Sequence, residues 1–313
     1  MKRTIGRRLV HLAVILLGVS FLTFLLMYIS PGDPAQKKLT AQGIAVSPEV
    51  LEAARREMGL DRPFLVQYGS WLANALRGDL GASYRDGLPV AGKLAGAMGN
   101  TLMLALASLT AALLLVSLPL AVWTAVHRDG IADRLVRLFS FVGNSLPNFL
   151  LSVLLMYLFC IRLRLLPVIA DGSVRGLLLP CLTLAVPLCS RFTRQFRAEL
   201  LEQLSREYVL GARTRGVKWR YILWHDVLRN AAPAVITVAA LSVGTLLGGS
   251  VVIESMFRWP GLGKLAMDAI SARDYPVLQG FVLVTAAVYV LVNLAADLLC
   301  FRADPRMGEE VRP

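Results

Sequence analysis

Along this chain, charged residues are separated by long apolar runs, not by the half-apolar helices or alternating strands of a water-soluble domain. A helix of about 20 apolar residues, rising roughly 1.5 Å per residue, crosses the ~30 Å hydrocarbon layer of a bilayer. Such runs occupy 9–29, 101–126, 138–161, 232–253 and 281–301, with a shorter one at 176–190. The short run contains Pro180 and Pro187 and is expected to continue as helix past Arg191, Arg194 and Arg197, giving a span over 176–197. Lipid offers no partner to free backbone groups, and the alternation of a barrel strand is missing, so the spans are helices. The pattern therefore predicts an all-α integral membrane protein, one membrane domain over 1–313 with six transmembrane helices. The first run exceeds the roughly 7–15 apolar residues of a signal peptide and ends Tyr28-Ile29-Ser30-Pro31, so it reads as a retained anchor.

The longest polar stretch, 31–98, has its own organisation. Ser47 followed by Pro48 marks a helix start, and Gly59 marks the stop, with Val50, Ala54 and Met58 on one face. A second helix is predicted after Pro63, where Phe64, Tyr68, Leu72 and Ala75 recur at helical spacing. Its aromatic residues suit either an interfacial helix or a cap docked on the bundle.

Composition agrees with the pattern. Apolar residues make up 56% and charged residues 17%, and mean hydropathy is +0.60. Soluble domains average about 45–50% and about 25%. The 33 Lys+Arg against 21 Asp+Glu give a net charge of +12. A nucleic-acid binder could share that charge but not the uncharged runs, so nucleic acid is excluded as a partner and membrane lipid is implied.

Charge also orients the spans. The segment 191–230 carries nine basic and four acidic residues, and the N-terminus has Lys2, Arg3, Arg7 and Arg8 with no acid. Loop 127–137 has three against two, whereas 162–175, with three against one, runs mildly the other way. Basic residues stay inside, so both termini and 191–230 are expected in the cytoplasm and 31–98 outside. Cys160, Cys181, Cys189 and Cys300 all lie in or beside apolar runs, without CxxC or Cys/His clusters, and read as small hydrophobes.

No catalytic pattern is present. GxSxG, HExxH and the phosphate-binding GxxxxGK[ST] are absent. Gly261-Leu262-Gly263-Lys264 comes nearest, but Arg258 replaces the first glycine and Leu265 the hydroxyl. The fragment Gly261-x-Gly263-x-x-Ala266 follows Trp259-Pro260, not a strand, and is no dinucleotide fingerprint. The three histidines, His11, His127 and His225, fall at span ends or in loops. Asp297, four residues after Asn293, is the only acidic residue within a span, so a built-in proton or sodium relay is poorly supported. Neither a catalytic residue nor a metal site is expected, and the chain cannot hydrolyse ATP by itself.

Small and polar residues mark helix contacts. Asn144, Ser145, Pro147 and Asn148 interrupt the third span, where the proline should bend it. Gly244 and Gly248 form a GxxxG in the fifth, with Gly249 beside them. Close helix packing and the lining of a path at a subunit interface both fit. The segment 206–217, from Arg206 through Tyr208, Val209, Gly211, Ala212, Arg213, Arg215 and Gly216, followed by Lys218 and Arg220, is too long for a mere turn. A slim helix entering another protein's groove and a basic loop resting on anionic lipid are the two readings.

At this segment the chain resembles the permease subunits of ABC importers for peptides and nickel. The matching residues are Tyr208-Val209, Ala212-Arg213, Gly216, His225, Leu228-Arg229-Asn230-Ala231 and Pro233. The wider superfamily has Glu-Ala-Ala where this chain has Leu210-Gly211-Ala212, a loss common in the peptide/nickel branch. Further matches are Pro31-Gly32-Asp33-Pro34, Gly59-Leu60-Asp61-x-Pro63, Gln67-Tyr68 and Gly78-Asp79-Leu80-Gly81. Glu254, Phe257, Trp259-Pro260-Gly261-x-Gly263, Arg273-Asp274-Tyr275-Pro276, Asn293, Asp297 and Asp304-Pro305-Arg306 continue them to the C-terminus.

The resemblance implies a type I ABC importer permease fold in the bacterial cytoplasmic (inner) membrane. It implies a second homologous permease subunit, two ATPase subunits that use ATP and Mg, and an extracytoplasmic solute-binding protein, with no cofactor in this chain. Within the cytoplasmic coupling loop 198–230, the Tyr208–Arg220 region would be the coupling helix. Asn144, Ser145, Pro147, Asn148, Gly244, Gly248 and Glu254 are the candidate path or gate residues. The solute would be nickel or short peptides. No pair of His, Cys or Met ligands lies in the spans, so nickel would cross as a chelate. Ser145-Leu146-Pro147-Asn148-Phe149, Leu154-Leu155-Met156-Tyr157 and Leu166-Pro167-Val168 are similar to nickel-type members and, in large part, to peptide-type members. An ATP-independent channel or carrier and a membrane scaffold are rivals that leave the 206–217 motif unexplained.

Overall fold

The computed structural model describes residues 2–41 and 46–303, with side chains for 10–40, 46–295 and 298. The side chains of Asp297 and Cys300, and the Asp304-Pro305-Arg306 motif, lie outside the described residues. Helices account for nearly all the ordered elements. They are α1 (Lys2–Ile29), α2 (Pro34–Ala41), α3 (Pro48–Glu57), α4 (Phe64–Ala75), α5 (Val90–Val126), α6 (Ile131–Ser145) and α7 (Asn148–Arg162). After them come α8 (Val174–Leu204), α9 (Glu207–Thr214), α10 (Trp219–Phe257), α11 (Leu262–Ala272) and α12 (Tyr275–Ala303). Five of these helices are long and apolar enough to cross a membrane, and α6 with α7 forms a further, bent candidate.

Two compact units share these helices. The first comprises residues 1–101 and 260–290, the second 102–259 and 291–313. In the first, Val90, Leu94 and Ala97 of α5 pack with Leu262 and Ala269 of α11 and Val277 of α12. Gln279 reaches α1, donating from Nε2 to the Ser20 carbonyl at 2.8 Å. The helix α4 lies on the C-terminal half of α1 through edge-to-face aromatic pairs, Phe21 and Tyr28 with Phe64 and Phe24 with Tyr68. Ser47 caps α3 by accepting from the Val50 N–H, and Gly59 follows its end with φ +67°. The apolar face of α3 keeps the expected Ala54 and Met58, with Leu51 in place of exposed Val50, against Ala35 and Leu39.

The second unit is built around α8. Ser173 caps its start by accepting from Gly176 N–H, and the helix runs unbroken for 31 residues through Pro180 and Pro187. Phe192, Phe196 and Leu200 are buried on it, the two rings stacked 5.4 Å apart. Within α5 the stretch Ala111–Ser117 is wound as π-helix, and Leu118 N–H bonds to Leu113 O five residues back. Pro119 directly after it cannot donate to the carbonyl four residues earlier, which favours such a local rewinding.

The interruption expected at Pro147 is a sharp one: α6 and α7 meet at 104° across Leu146-Pro147. Proline disfavours helical geometry in the residue before it, and Leu146 is extended with ψ 125°. Within the segment 198–230, α8 continues to Leu204, α9 follows and α10 begins at Trp219. Only the turns flanking α9 are irregular.

Candidate functional site

Between α8 and α10 sits α9, two turns of helix held on one side by its own protein. Val209 and Ala212 are buried in the core of the second unit, and Tyr208 packs beside them. The Tyr208 hydroxyl donates to Gln203 Oε1 at 3.1 Å, tying α9 to the last turn of α8. Gly211 is half-buried, and a Cβ there would meet nothing within 4 Å.

The end of α9 is a Schellman closure. Gly216 N–H bonds to Arg213 O at 3.0 Å and Val217 N–H to Ala212 O at 3.1 Å. Gly216 has φ +76°, the left-handed conformation that a Cβ disfavours, yet the space around it is open. Its requirement is thus for backbone freedom and not for slimness. Just beyond, the Arg213 guanidinium lies 4.3 Å from the Trp219 ring centre, folding the exit of α9 back on the start of α10.

The opposite side of α9 is open. Leu210 is 65% exposed, flanked by exposed Glu207, Arg213 and Arg215. Arg220 and His225 sit on the exposed side of the first turns of α10, not on α9. The His225 ring stacks on Tyr221 at 4.7 Å and its Nδ1 is 3.2 Å from Asp226 Oδ1. The exposed side of this short, anchored helix thus carries one apolar side chain among charged ones.

The candidate path residues fall on one elbow and one helix of the same unit. Asn144, Ser145 and Pro147 are exposed at the α6–α7 break, and Ser145 Oγ donates to its own helix at Phe141 O. Asn148, half-buried at the start of α7, faces α10, its Nδ2 3.9 Å from where a Gly249 Cβ would stand. Gly248 is exposed with nothing within 4 Å, so its missing side chain serves no packing among the described residues, and Gly244 is half-buried. Glu254 differs: it is fully buried and opens onto no surface here, while its carbonyl accepts from Trp259 N–H.

Residues 117–309 match the family described as "Binding-protein-dependent transport system inner membrane component", and residues 1–105 match its N-terminal counterpart. The chain belongs to this family. The permease is 34% identical over 313 residues to the metal-staphylopine import system permease protein CntB of Staphylococcus aureus, covering 100% of both chains. It is 36% identical over 299 residues to the glutathione transport system permease protein GsiC of Escherichia coli K12, covering 96% of both. It also shares its fold with a chain of the inward-facing MetNI methionine ABC transporter, at TM-score 0.55 and 20% identity, over 67% of this chain and 96% of that one. This protein is therefore an ABC importer permease of the peptide/nickel type, with a transport role rather than a catalytic one. Permeases of this kind work with ATPase and substrate-binding partners.

Some of the permease's important contacts were not legible in its motifs. Asp133 on α6 is fully buried, accepts from Arg197 of α8 at 2.8 Å and is ion-paired with Arg137 at 3.3 Å. The Asp133/Arg137 spacing is visible in sequence, whereas Arg197, 64 residues away, is not. In the first unit, Asp274 accepts from Ser83 Oγ and from Tyr84 N–H. Lys93 Nζ adds bonds to Ser83 at 3.2 Å and Asp86 at 2.6 Å. Burial, with the Asp274 charge adding to it, pushes the Tyr84 hydroxyl up to about 12. The motif Arg273-Asp274 thus ties down the loop before α5, while the Arg273 guanidinium covers Gly32 of the Pro31-Gly32-Asp33-Pro34 motif.

Proposed function

We propose that this permease forms half of a translocation path with a second, homologous permease. Two ATPase subunits would drive it and an extracytoplasmic binding protein would load it. The chain would cross the bacterial cytoplasmic membrane six times, counting α6–α7 as one broken span, with both termini inside. The observation that carries the reading is α9. Its Val209 and Ala212 anchor it to the transmembrane core while Leu210, Arg213 and Arg215 stay open to a partner. A rigid knob of this kind passes a push from the ATPases into α8 and α10, rocking the spans between inward- and outward-open states.

The elbow at Pro147, Asn148 against Gly249, and the bare surface at Gly248 supply a slim, polar-edged face for the second permease or the path. The solute is a short peptide or a metal carried by a chelator. A chelated cargo is favoured over a bare ion because no group of three or more His, Cys, Asp or Glu among the described residues converges to hold a metal. Relatives named for metal-staphylopine and for glutathione support both classes.

The test is ATP hydrolysis by the importer reconstituted from this chain and its partner subunits. Nickel with histidine is compared with a mixture of di- to pentapeptides. Stimulation by one of them assigns the solute, and stimulation by neither rejects both classes.

A further inference from the structure

In the second unit, three exposed arginines gather where α5 turns into α6. Arg128 is in the turn, and Arg134 and Arg137 are on the first turns of α6; against them stands one exposed acid, Asp129. Asp129 lies 3.4 Å from Arg128 and 3.9 Å from Arg137. The other acid here, Asp133, faces inward, where Arg197 matches its charge. Arg134 pairs with no acid among the described residues. This surface is left with a surplus of positive charge.

Neighbouring contacts set its depth. The helix α6 runs antiparallel along α8, since Asp133 meets Arg197 and Gly143 stands against Ser190. From Gly176, where the apolar run of α8 begins, to Arg197 the helix rises about 32 Å, close to the ~30 Å hydrocarbon layer. Asp133, with Arg134 beside it, is therefore level with the place where α8 leaves the hydrocarbon, and Gly143 is inside it. The turn 127–130 is a short link between two long helices, which keeps it at the membrane surface. Trp123, 46% exposed and one turn before it, suits that boundary.

Along α6 the exposed residues then change character as a lipid does. Arg134, Arg137, Leu138 and Phe141 recur at helical spacing and are all exposed, Leu138 by 59% and Phe141 by 69%. Phe141 lies roughly 10 Å deeper than Arg134 along the helix axis. A water-soluble partner such as an ATPase reaches the arginines but not a ring within the hydrocarbon, whereas one amphiphile touches both. The surplus positive charge selects a headgroup of net negative charge over a zwitterionic one.

We propose that this stripe is a binding site for an anionic phospholipid of the cytoplasmic leaflet, its phosphate on Arg134 and Arg137 and an acyl chain on Leu138 and Phe141. The leaflet rests on the orientation proposed above; the site itself does not.

The test is native mass spectrometry of the full-length permease, alone and with its partner subunits, with phosphatidylglycerol or phosphatidylcholine added. Expected is preferential retention of phosphatidylglycerol, weakened about fivefold in Arg134→Gln, the scale of one basic residue near an anionic surface. Adding Phe141→Ser should weaken it further. Arg175→Gln, which removes an exposed arginine from the other end of α8, should leave it unchanged. Thermal melting of each variant separates lost binding from lost folding. Equal retention of the two lipids, or no loss in Arg134→Gln, overturns the site. So does an equal loss in Arg175→Gln, which means binding by net charge alone, and so does displacement of the lipid by inorganic phosphate, which leaves an anion site without a lipid. Loss of a partner subunit from Arg134→Gln with lipid retention intact assigns the stripe to a protein interface and overturns it as well. The side is read separately, with an impermeant maleimide on Arg128→Cys. Labelling confined to opened cells supports the cytoplasmic leaflet, and labelling of intact cells overturns the leaflet together with the orientation.

Discussion

Arg197 of α8 reaches across to Asp133 of α6 and donates to a carboxylate that is completely removed from solvent. The pair locks the start of α6 to the half of α8 that leads into α9.

Replacing Arg197 by Ala should be strongly destabilising, by up to about 3–5 kcal/mol, because it strands a buried charge. Arg137 and the Asp129 N–H remain on the carboxylate and will hold the loss toward the lower end. The double variant Asp133→Leu with Arg197→Met should recover much of the stability. Denaturant unfolding in mixed micelles measures both; a double variant worse than the single one would contradict the charge-stranding account.

The packing of α6 on α8 is set by Gly143. A Cβ there would stand 2.2 Å from Ser190 Oγ. Gly143→Ala should cost about 1–3 kcal/mol, the usual range for overpacking. Gly143→Ala with Ser190→Ala removes the clashing oxygen and should return most of that loss. The same unfolding measurement decides it, equal loss in both variants being the adverse result.

Uncoupling should follow a bulky substitution at Gly216, with membrane insertion unchanged. Since open space surrounds the site, the cause is the positive φ, worth roughly 1–2 kcal/mol against a residue with Cβ. Gly216→Trp should abolish solute-stimulated ATP hydrolysis, and Gly216→Asn, which tolerates the left-handed region, should keep much of it. Equal activity in all three forms would remove α9 from the coupling role.

Leu210→Asp tests the exposed knob directly. Leu210 is largely exposed and not among the buried core residues, so the variant should insert and melt like the wild type. Its solute-stimulated ATP hydrolysis should fall severalfold, and normal stimulation would place the docking surface elsewhere.

A pH dependence follows from Asp86. Burial acts to raise its pKa, but hydrogen bonds from Lys93, the Leu88 N–H and Ser83 outweigh it and hold the carboxyl below the usual range. The folded form therefore binds the proton less readily than the unfolded chain. Its stabilisation is complete above the unfolded value near ~3.9 and fades as pH falls through the depressed one. For so exposed a pair the effect is roughly 0.2–1 kcal/mol. Asp86→Asn should be less stable than wild type by that amount at neutral pH, and the gap should close in acid. A gap that widened in acid would reverse the sign.

Residue order alone determined the membrane class, the long helices, the capped α3 and the family. Apolar run length, a serine before a proline, and the spacing from Tyr208 to Pro233 are local facts, and bilayer thickness and helix capping act on them locally. Pro147 announced a break, but its 104° angle depends on what α6 and α7 pack against. Gly216 stood out in sequence as a slim residue, and its backbone conformation gave it a different reason. Tertiary structure alone decided that Asp133 meets Arg197, that Gly143 meets Ser190 and that Glu254 is buried. Those contacts join residues dozens of positions apart, and a side chain's partner at that separation is set by the packing of whole helices, which no local pattern encodes.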